Sequence, residues 1–469
     1  MFFALLFLTL NLKLTSVSAI PSSPWPLPLN LTIVGDGSSP ATISPTFSFF
    51  CATDPGCSPA CNTSPLVASA FSRFEERLRP PPASVRVLGT YWWKFAGADC
   101  DGPQYDLGEN CGSDVSACEA TCAATTGCAG FNTHGVMKNA SCGAPGSVQP
   151  GAGCNGCVDL YLAKDSPEPG PGVLSSLSVC VGSGDETLGQ ETDESYSLFV
   201  PNNGTGALHS STVFGMLHGL ETLVQLLDVF GVSITTRVIS STPVYVDDAP
   251  RFAYRGLLVD SARHFLPVAQ LLHTIDALAY SKLNVLHWHI VDSSSFPCGS
   301  TTYPGLATAG AYDPTAVYSV EDLKTVVAYG KLRGVRVLPE WDVPGHGKWG
   351  GVPGVMGCTD VLDPTADETY HMLSSFLGEM GSIFEEPWLF LGGDEVDASC
   401  WDNNPTIAAW LKAHNMTSSD LQQYFWVQMR SRVLPALNKT VGVWESDSIQ
   451  IDLTSLAAGS FVNVRLLST

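Results

Sequence analysis

Leu389-Phe390-Leu391-Gly392-Gly393-Asp394-Glu395-Val396 is an apolar run that stops at two glycines and then delivers two adjacent carboxylates. The run reads as a buried strand, and Gly392-Gly393 let the backbone turn at its end. Neighbouring side chains on a strand point apart, but at a glycine-loosened strand end both acids can flank one ligand. A carboxyl pair in one pocket splits its pKa values, which sets a proton donor beside an ionised group as acid–base chemistry requires. Taken alone, the Asp-Glu pair would serve equally as a loop acid and a helix cap. The sequence around it weighs against that reading.

From about residue 250 onward, short apolar stretches alternate with amphipathic ones, the pattern of parallel βα units. Strands are expected at 254–260, 284–292, 335–341, 388–392, 441–444 and 461–466, and helices at 268–282, 320–333, 368–384 and 421–437. Asp292, Asp342 and the Asp394-Glu395 pair all fall at or just past carboxyl-terminal strand ends. That is the face that carries the active site of a (β/α)8 TIM-type barrel. The fold class expected is therefore α/β, with a barrel over residues 250–469. Six strands precede Thr469, so a closed barrel implies two further βα units and a truncation after strand 6.

The chain has 469 residues, 45% of them hydrophobic, enough for two or three domains with a large core. Its 45 acidic and 23 basic residues give a formal charge of −22, which argues against nucleic acid and anionic membrane surfaces as partners. Residues 1–19 read as a signal peptide: Met1-Phe2-Phe3-Ala4-Leu5-Leu6-Phe7-Leu8-Thr9-Leu10 is too short to span a bilayer, and Val17-Ser18-Ala19 offers a cleavage site. No later run is long enough for a transmembrane helix. Glycosylation acceptors stand at Asn30, Asn62, Asn139, Asn203, Asn415 and Asn438. Secretory entry and a secreted or lysosomal/vacuolar address are the expectation.

Fifteen cysteines in such a chain imply disulfides, and their odd number leaves at least one unpaired within a monomer. Eight lie between Cys100 and Cys157, in a segment, 90–165, too poor in aliphatic residues to build a core without staples. Cys154-Asn155-Gly156-Cys157 has the spacing of a zinc knuckle, but in a secreted chain the disulfide reading outweighs it. Ser166-Pro167-Glu168-Pro169-Gly170-Pro171-Gly172 closes the segment as a linker. On either side, 20–89 and 166–249 look like two halves of one small α/β domain, with helices at 68–78 and 214–230 and a strand at 195–200.

Three further stretches carry chemistry. Arg255-Gly256-Leu257-Leu258-Val259-Asp260-Ser261-Ala262-Arg263-His264 sets Arg263 beyond a strand, either as a binder of sugar hydroxyls or as an ion-pair partner of Asp260. His287-Trp288-His289-Ile290-Val291-Asp292 places two histidines on one strand face, a spacing also found in metal-dependent hydrolases. The rest of a metal ligand set is thin, since only His346 stands at another strand end, and no metal or other cofactor is expected. In Pro339-Glu340-Trp341-Asp342-Val343-Pro344-Gly345-His346-Gly347 a Pro/Gly-shaped loop can hold His346 between Asp292 and Glu395. Trp444 at a strand end suits stacking on a sugar's apolar face, or simply the core.

These stretches, with Gly392-Gly393-Asp394-Glu395-Val396-Asp397-Ala398-Ser399-Cys400-Trp401, resemble family 20 glycoside hydrolases, and within them the eukaryotic β-N-acetylhexosaminidases. Phe214-Gly215-Met216-Leu217-His218-Gly219-Leu220-Glu221-Thr222-Leu223 is similar to a helix of that family's non-catalytic α/β domain. The resemblance implies exo-acting hydrolysis of terminal β-linked GlcNAc or GalNAc, retaining and substrate-assisted, an exception to the two-carboxylate scheme. It makes Glu395 the acid/base and Asp394 the group that orients the 2-acetamido substituent. It makes Arg263 and Trp444 substrate binders, and Asp292, His346, Asp342 and His289 the supporting network. It pairs Cys358 with Cys400, and Cys61 with Cys180. The cysteine-rich insert resembles a PAN/apple-like module, in Cys118–Cys122 and Thr126-Gly127-Cys128-Ala129-Gly130-Phe131-Asn132, which implies a protein or glycan partner. A homodimer is compatible with all of this.

Two functions are carried forward: an active exo-hexosaminidase, and a catalytically impaired glycan-binding relative that lacks the pocket's far wall because the barrel is truncated.

Overall fold

The computed structural model describes residues 40–78, 172–227, 237–239 and 241–444, together with the backbone of the short strands named below. The expected signal segment, the Pro/Gly linker up to residue 171 and most of the 90–165 insert, Cys118–Cys122 of its PAN/apple-like motifs included, lie outside these residues.

Strands β1 (Asn30–Ile33) and β2 (Ala41–Cys51) precede the insert. Inside it, β3 to β9 are Trp92–Phe95, Ala98–Asp99, Asp106–Asn110, Cys128–Asn132, Val136–Asn139, Gln149–Pro150 and Leu160–Ala163. After it come β10 (Gly172–Val181), β11 (Tyr196–Val200), β12 (Gly204–Ser210), β13 (Val238–Ile239) and β14 (Val244–Asp248). The strands flanking the insert make one seven-stranded sheet in the order β1-β14-β11-β12-β10-β2-β13, with β2, β10 and β12 mutually parallel at its centre. Two helices, Pro65–Leu78 and Val213–Gln225, cover one face. Pro65–Leu78 buries Leu66, Val67, Ala70, Phe74 and Leu78, the three-to-four-residue spacing of one helical stripe. Val213–Gln225 starts where Thr212 accepts the orphan amides of Phe214 and Gly215. Within the insert, β3-β9-β6-β7-β5 form one antiparallel sheet and β4-β8 a two-stranded ribbon.

Two disulfides tie this layer, and they correct the pairing expected from the sequence. Cys61 bonds to Cys51, and Cys180 to Cys57. Cys61 sits in the turn Pro59–Asn62 that follows the end of β2. That turn brings it within 5.9 Å of the Cys51 Cα, and leaves Cys57, at 5.1 Å, for Cys180.

The second sheet is six parallel strands in sequence order: β15 (Gly256–Asp260), β16 (Val285–His289), β17 (Arg336–Glu340), β18 (Trp388–Phe390), β19 (Thr440–Trp444) and β20 (Phe461–Asn463). Alternate residues serve opposite faces. Leu286, Trp288, Val337, Leu389, Val441 and Val443 join the core beneath the outer helices. Val285, Leu338 and Phe390 pack on the inner face, against Trp388 and Trp444. β16 and β17 are buried on both faces, which is why they read as unbroken apolar runs, whereas Leu257 and Leu258 of β15 are exposed. Helices Val268–Tyr280, Val320–Lys331, Asp367–Ile383 and Ser418–Gln428 supply the outer layer. Ser319 and Thr417 open two of them with full capping boxes. The long helix expected at 421–437 is divided: it runs as Ser418–Gln428, widens into a π turn at Met429–Val433, and resumes as Leu434–Leu437. Pro435, which has no amide to donate, accounts for the break. Cys358 is bonded to Cys400, and Cys298 is a buried free thiol. Asn62, Asn203, Asn415 and Asn438 are exposed. Among the described residues no helix is long and apolar enough to cross a membrane.

Candidate active site

The carboxylates of the opening run stand just past β18, on a backbone that only glycine makes easy. Gly392 and Gly393 have φ of +64° and +87°, and Glu395 itself is left-handed at +50°. A Cβ at Gly392 would lie 2.2 Å from Asp342 Oδ1, so the glycine is also what lets Asp342 approach. The turn is pinned by the Trp444 amide donating to the Gly392 carbonyl at 2.9 Å, and by the Gln422 side-chain amide donating to the Gly393 carbonyl at 3.3 Å. The two acids part company here: Asp394 is 4% exposed, while the Glu395 side chain is 65% exposed.

His346, in a loop shaped by the cis Val343–Pro344 bond and itself at φ +52°, bridges two strand ends. Its Nδ1 is 3.4 Å from Asp292 Oδ2, and its Nε2 is 3.3 Å from Glu395 Oε2. The hydrogen bond to Asp292, with the charges of Asp342, Asp292 and Asp394, outweighs burial and raises the imidazole above its ordinary pKa. Burial alone would lift Asp292, but His346 and the Arg263 guanidinium hold its carboxyl below the usual range.

Arg263 is the ion-pair partner of Asp260 that the sequence offered as one of two readings. It donates to Asp260 Oδ2 at 2.7 Å and lies 2.9 Å from Asp292 Oδ2, with nearly half of its side chain facing solvent. Asp260 in turn accepts the amides of Ala262 and Arg263, which fixes the turn after β15. His289 lies beneath, 3.1 Å from Asp342 and 3.7 Å from Asp260 and Asp292.

Glu340 is the residue whose role sequence reasoning missed. It is wholly buried, with Oε2 2.6 Å from His287 Nε2, and Oε1 accepts the indole N–H of Trp444 at 2.5 Å. The Trp444 ring lies nearly parallel to His287, at 5.7 Å, and edge-on to Phe390. Trp444 is thus held by the inner face of the sheet, below the loops that carry Glu395 and His346. Despite burial, the hydrogen bond from His287 keeps Glu340 below its ordinary value. Burial and the neighbouring Glu340 push Asp342 well above its own.

Two triads bring donor atoms within 4.8 Å of one another, His289–Glu340–Asp342 and His346–Asp394–Glu395. In the first, the Glu340 oxygens are already engaged by His287 and Trp444. The second is the carboxyl pair with its bridging imidazole. A solvent-facing carboxyl tied to a histidine, a buried carboxyl beside it and a half-exposed arginine together have the make-up of an acid–base site.

Comparison with known proteins supplies the family. Residues 252–458 match the glycosyl hydrolase family 20 catalytic domain, and residues 24–226 match the beta-acetyl hexosaminidase like domain. Residues 252–458 thus have the sequence of a family 20 catalytic domain. It is similar to beta-hexosaminidase 3 of Arabidopsis thaliana, with 42% identity over 264 residues, 55% of this chain and 49% of the relative. It is also similar to beta-hexosaminidase subunit beta of Homo sapiens, with 38% identity over 291 residues, 58% of this chain and 50% of the relative. The chain spans about half the length of these relatives. Among solved structures, a chitobiase from Flavobacterium johnsoniae shares the fold with a TM-score of 0.61 and 24% identity, covering 93% of this chain and 54% of that one. A β-N-acetylhexosaminidase from Streptomyces coelicolor gives a TM-score of 0.56 at 18% identity, covering 96% of this chain and 70% of the other.

Proposed function

We propose that this chain acts as an exo-β-N-acetylhexosaminidase on terminal β-GlcNAc or β-GalNAc, with the substrate's own acetamido group as nucleophile. The observation that carries the reading is the division of labour at the end of β18: Glu395 faces solvent in contact with His346, and Asp394 is buried next to it. In this mechanism Glu395 gives its proton to the glycosidic oxygen as the anomeric carbon–oxygen bond breaks. The acetamido carbonyl oxygen closes onto the anomeric carbon from the opposite face, forming an oxazolinium ion whose N–H Asp394 orients and stabilises. The Glu395 carboxylate then removes a proton from water as it opens the ring, which restores the acid and retains configuration. Arg263 holds sugar hydroxyls from the open side, Trp444 offers a stacking face, and Asp292, His346, His289 and Asp342 hold the acid in place. The disulfides fit an oxidising compartment, and the reading extends to the secretory pathway, with a secreted or lysosomal/vacuolar destination.

Replacing Glu395 by Gln tests this directly. Release of a chromogenic aryl β-GlcNAc glycoside should fall by about 10²–10⁴, the usual worth of a positioned acid, while the glycoside still binds. A chelator should leave the parent rate unchanged. Loss on chelation with recovery on added zinc would transfer the chemistry to the His289–Glu340–Asp342 group and end the carboxyl-pair reading.

A further inference from the structure

Away from the carboxylates, where the helix Pro65–Leu78 meets the second sheet's outer layer, lies a small solvent-connected cavity lined in part by Arg73, Arg77, Glu221, Asp276, Tyr280 and Arg333. Arg333 precedes β17, so the cavity lies toward the end of the sheet opposite Asp394 and Glu395. Two of the three guanidinium groups are neutralised. Arg77 makes a two-pronged bond to Glu221, with N–O distances of 2.5 and 3.0 Å. Arg333 Nε donates to Asp276, whose other oxygen accepts the Tyr329 hydroxyl at 2.9 Å.

Arg73 is the third. It donates to the Leu332 carbonyl at 3.3 Å and rests 5.3 Å from the Phe74 ring centre. Among the described residues no carboxylate comes within ion-pair distance of it. Burial, then Arg333, and less strongly Arg77, work against its charge and bring its pKa down to about 10, with Asp276 giving partial relief. His218 adds no charge, since burial pushes it down to about 3. Three cations against two carboxylates leave one uncompensated positive charge, half-buried, in a chain of net charge −22. A guanidinium in that state is stabilised by an anion that can accept its parallel N–H groups.

We infer that Arg73, with Arg77 and Arg333 around it, forms a binding site for a tetrahedral oxyanion, phosphate or sulfate, at the junction of the small α/β layer and the second sheet. Arg73 and Arg77 come from one unit, and Tyr280 and Arg333 from the other, so the bound anion fastens the two together. The shared chemistry is a tetrahedral oxyanion, carried either by the free ion or by a phosphorylated or sulfated sugar.

Equilibrium dialysis of the full chain against inorganic phosphate and, separately, glucose 6-phosphate distinguishes the sources by which binds more tightly. The expected result is saturable binding near one per chain, matched by a rise in melting temperature that chloride at equal ionic strength does not give. Arg73→Gln should weaken binding about tenfold or more and remove the rise, with aryl glycoside hydrolysis unchanged. Arg73→Lys keeps the charge but loses the planar fork, and should bind phosphate more weakly than the parent, so it serves if the Gln variant fails to fold. Absent or non-saturable binding to the parent, or an equal temperature rise in parent and variant, would overturn the inference.

Discussion

Gly392 shows how much of the site rests on single residues. Its φ of +64° and the 2.2 Å approach of Asp342 Oδ1 to a would-be Cβ leave no room for alanine. Gly392→Ala should cost about 1–3 kcal/mol of stability and displace Asp342 and the Asp394 turn together, read as a lower melting temperature with a larger loss in kcat/KM. His346 governs the pH response. Its pKa is raised, so its ion contacts contribute stability that is fully present below the ordinary imidazole value of about 6.5 and is lost as pH rises through the higher folded value. The melting temperature of the parent relative to His346→Gln should therefore fall as pH rises past the ordinary imidazole value of about 6.5. A difference that stays flat with pH would mean that His346 is held as a neutral ring. Glu340 was unreadable in the sequence for a physical reason: its partners His287 and Trp444 come from other strands, and a buried acid has no meaning until they meet it.

The elements divide by how plainly their physics is written. β16 to β19 are legible because strands buried on both faces are continuous apolar runs, and Asp292, Asp342 and Asp394 stand where those runs stop. The small sheet is not. β10, Gly-Val-Leu-Ser-Ser-Leu-Ser-Val-Cys-Val, and β12, Gly-Thr-Gly-Ala-Leu-His-Ser, mix serine, threonine and glycine into their apolar pattern, and their parallel pairing is set by partners far along the chain. The pairing of Cys51, Cys57, Cys61 and Cys180 depends on a short turn whose path no spacing reveals. The Cys358–Cys400 bond acts on the elements of the site itself. It joins the loop after His346 to the short helix Ser399–Asp402 that follows Glu395, closing a separation of 42 residues. Replacing both cysteines by serine should cost about 4 kcal/mol on the chain-entropy account. Activity at a temperature where the variant is still folded should also fall, because the Glu395–His346 contact loses a tether. Unchanged activity with lowered stability would assign the bond to folding alone.

At the scale of the whole molecule, the small layer is keyed into the second sheet by buried polar contacts. Glu194, 3% exposed, accepts from Arg255 at 2.9 Å and from Asn284 at 3.2 Å, and lies 3.6 Å from His218. Lys282, 4% exposed, donates to Thr222 at 2.6 Å, Tyr196 at 2.8 Å and Asp248 at 3.3 Å. Removing one partner of such a set strands the others, so Glu194→Ala should cost about 3–5 kcal/mol and separate the melting of the two units in a calorimetric scan. These contacts hold a platform steady, and the proposed chemistry belongs to its far end. The central claim is that the substrate's acetamido group, oriented by Asp394, supplies the oxygen that displaces the leaving group as Glu395 protonates it. The measurement that tests it most directly is the rate of aglycone release along a series of aryl glycosides whose N-acetyl group carries zero, one, two and three fluorines. Each fluorine weakens the carbonyl oxygen as a nucleophile and leaves the leaving group untouched. A steep monotonic fall in kcat along the series is the predicted result, and a flat or rising series would contradict it.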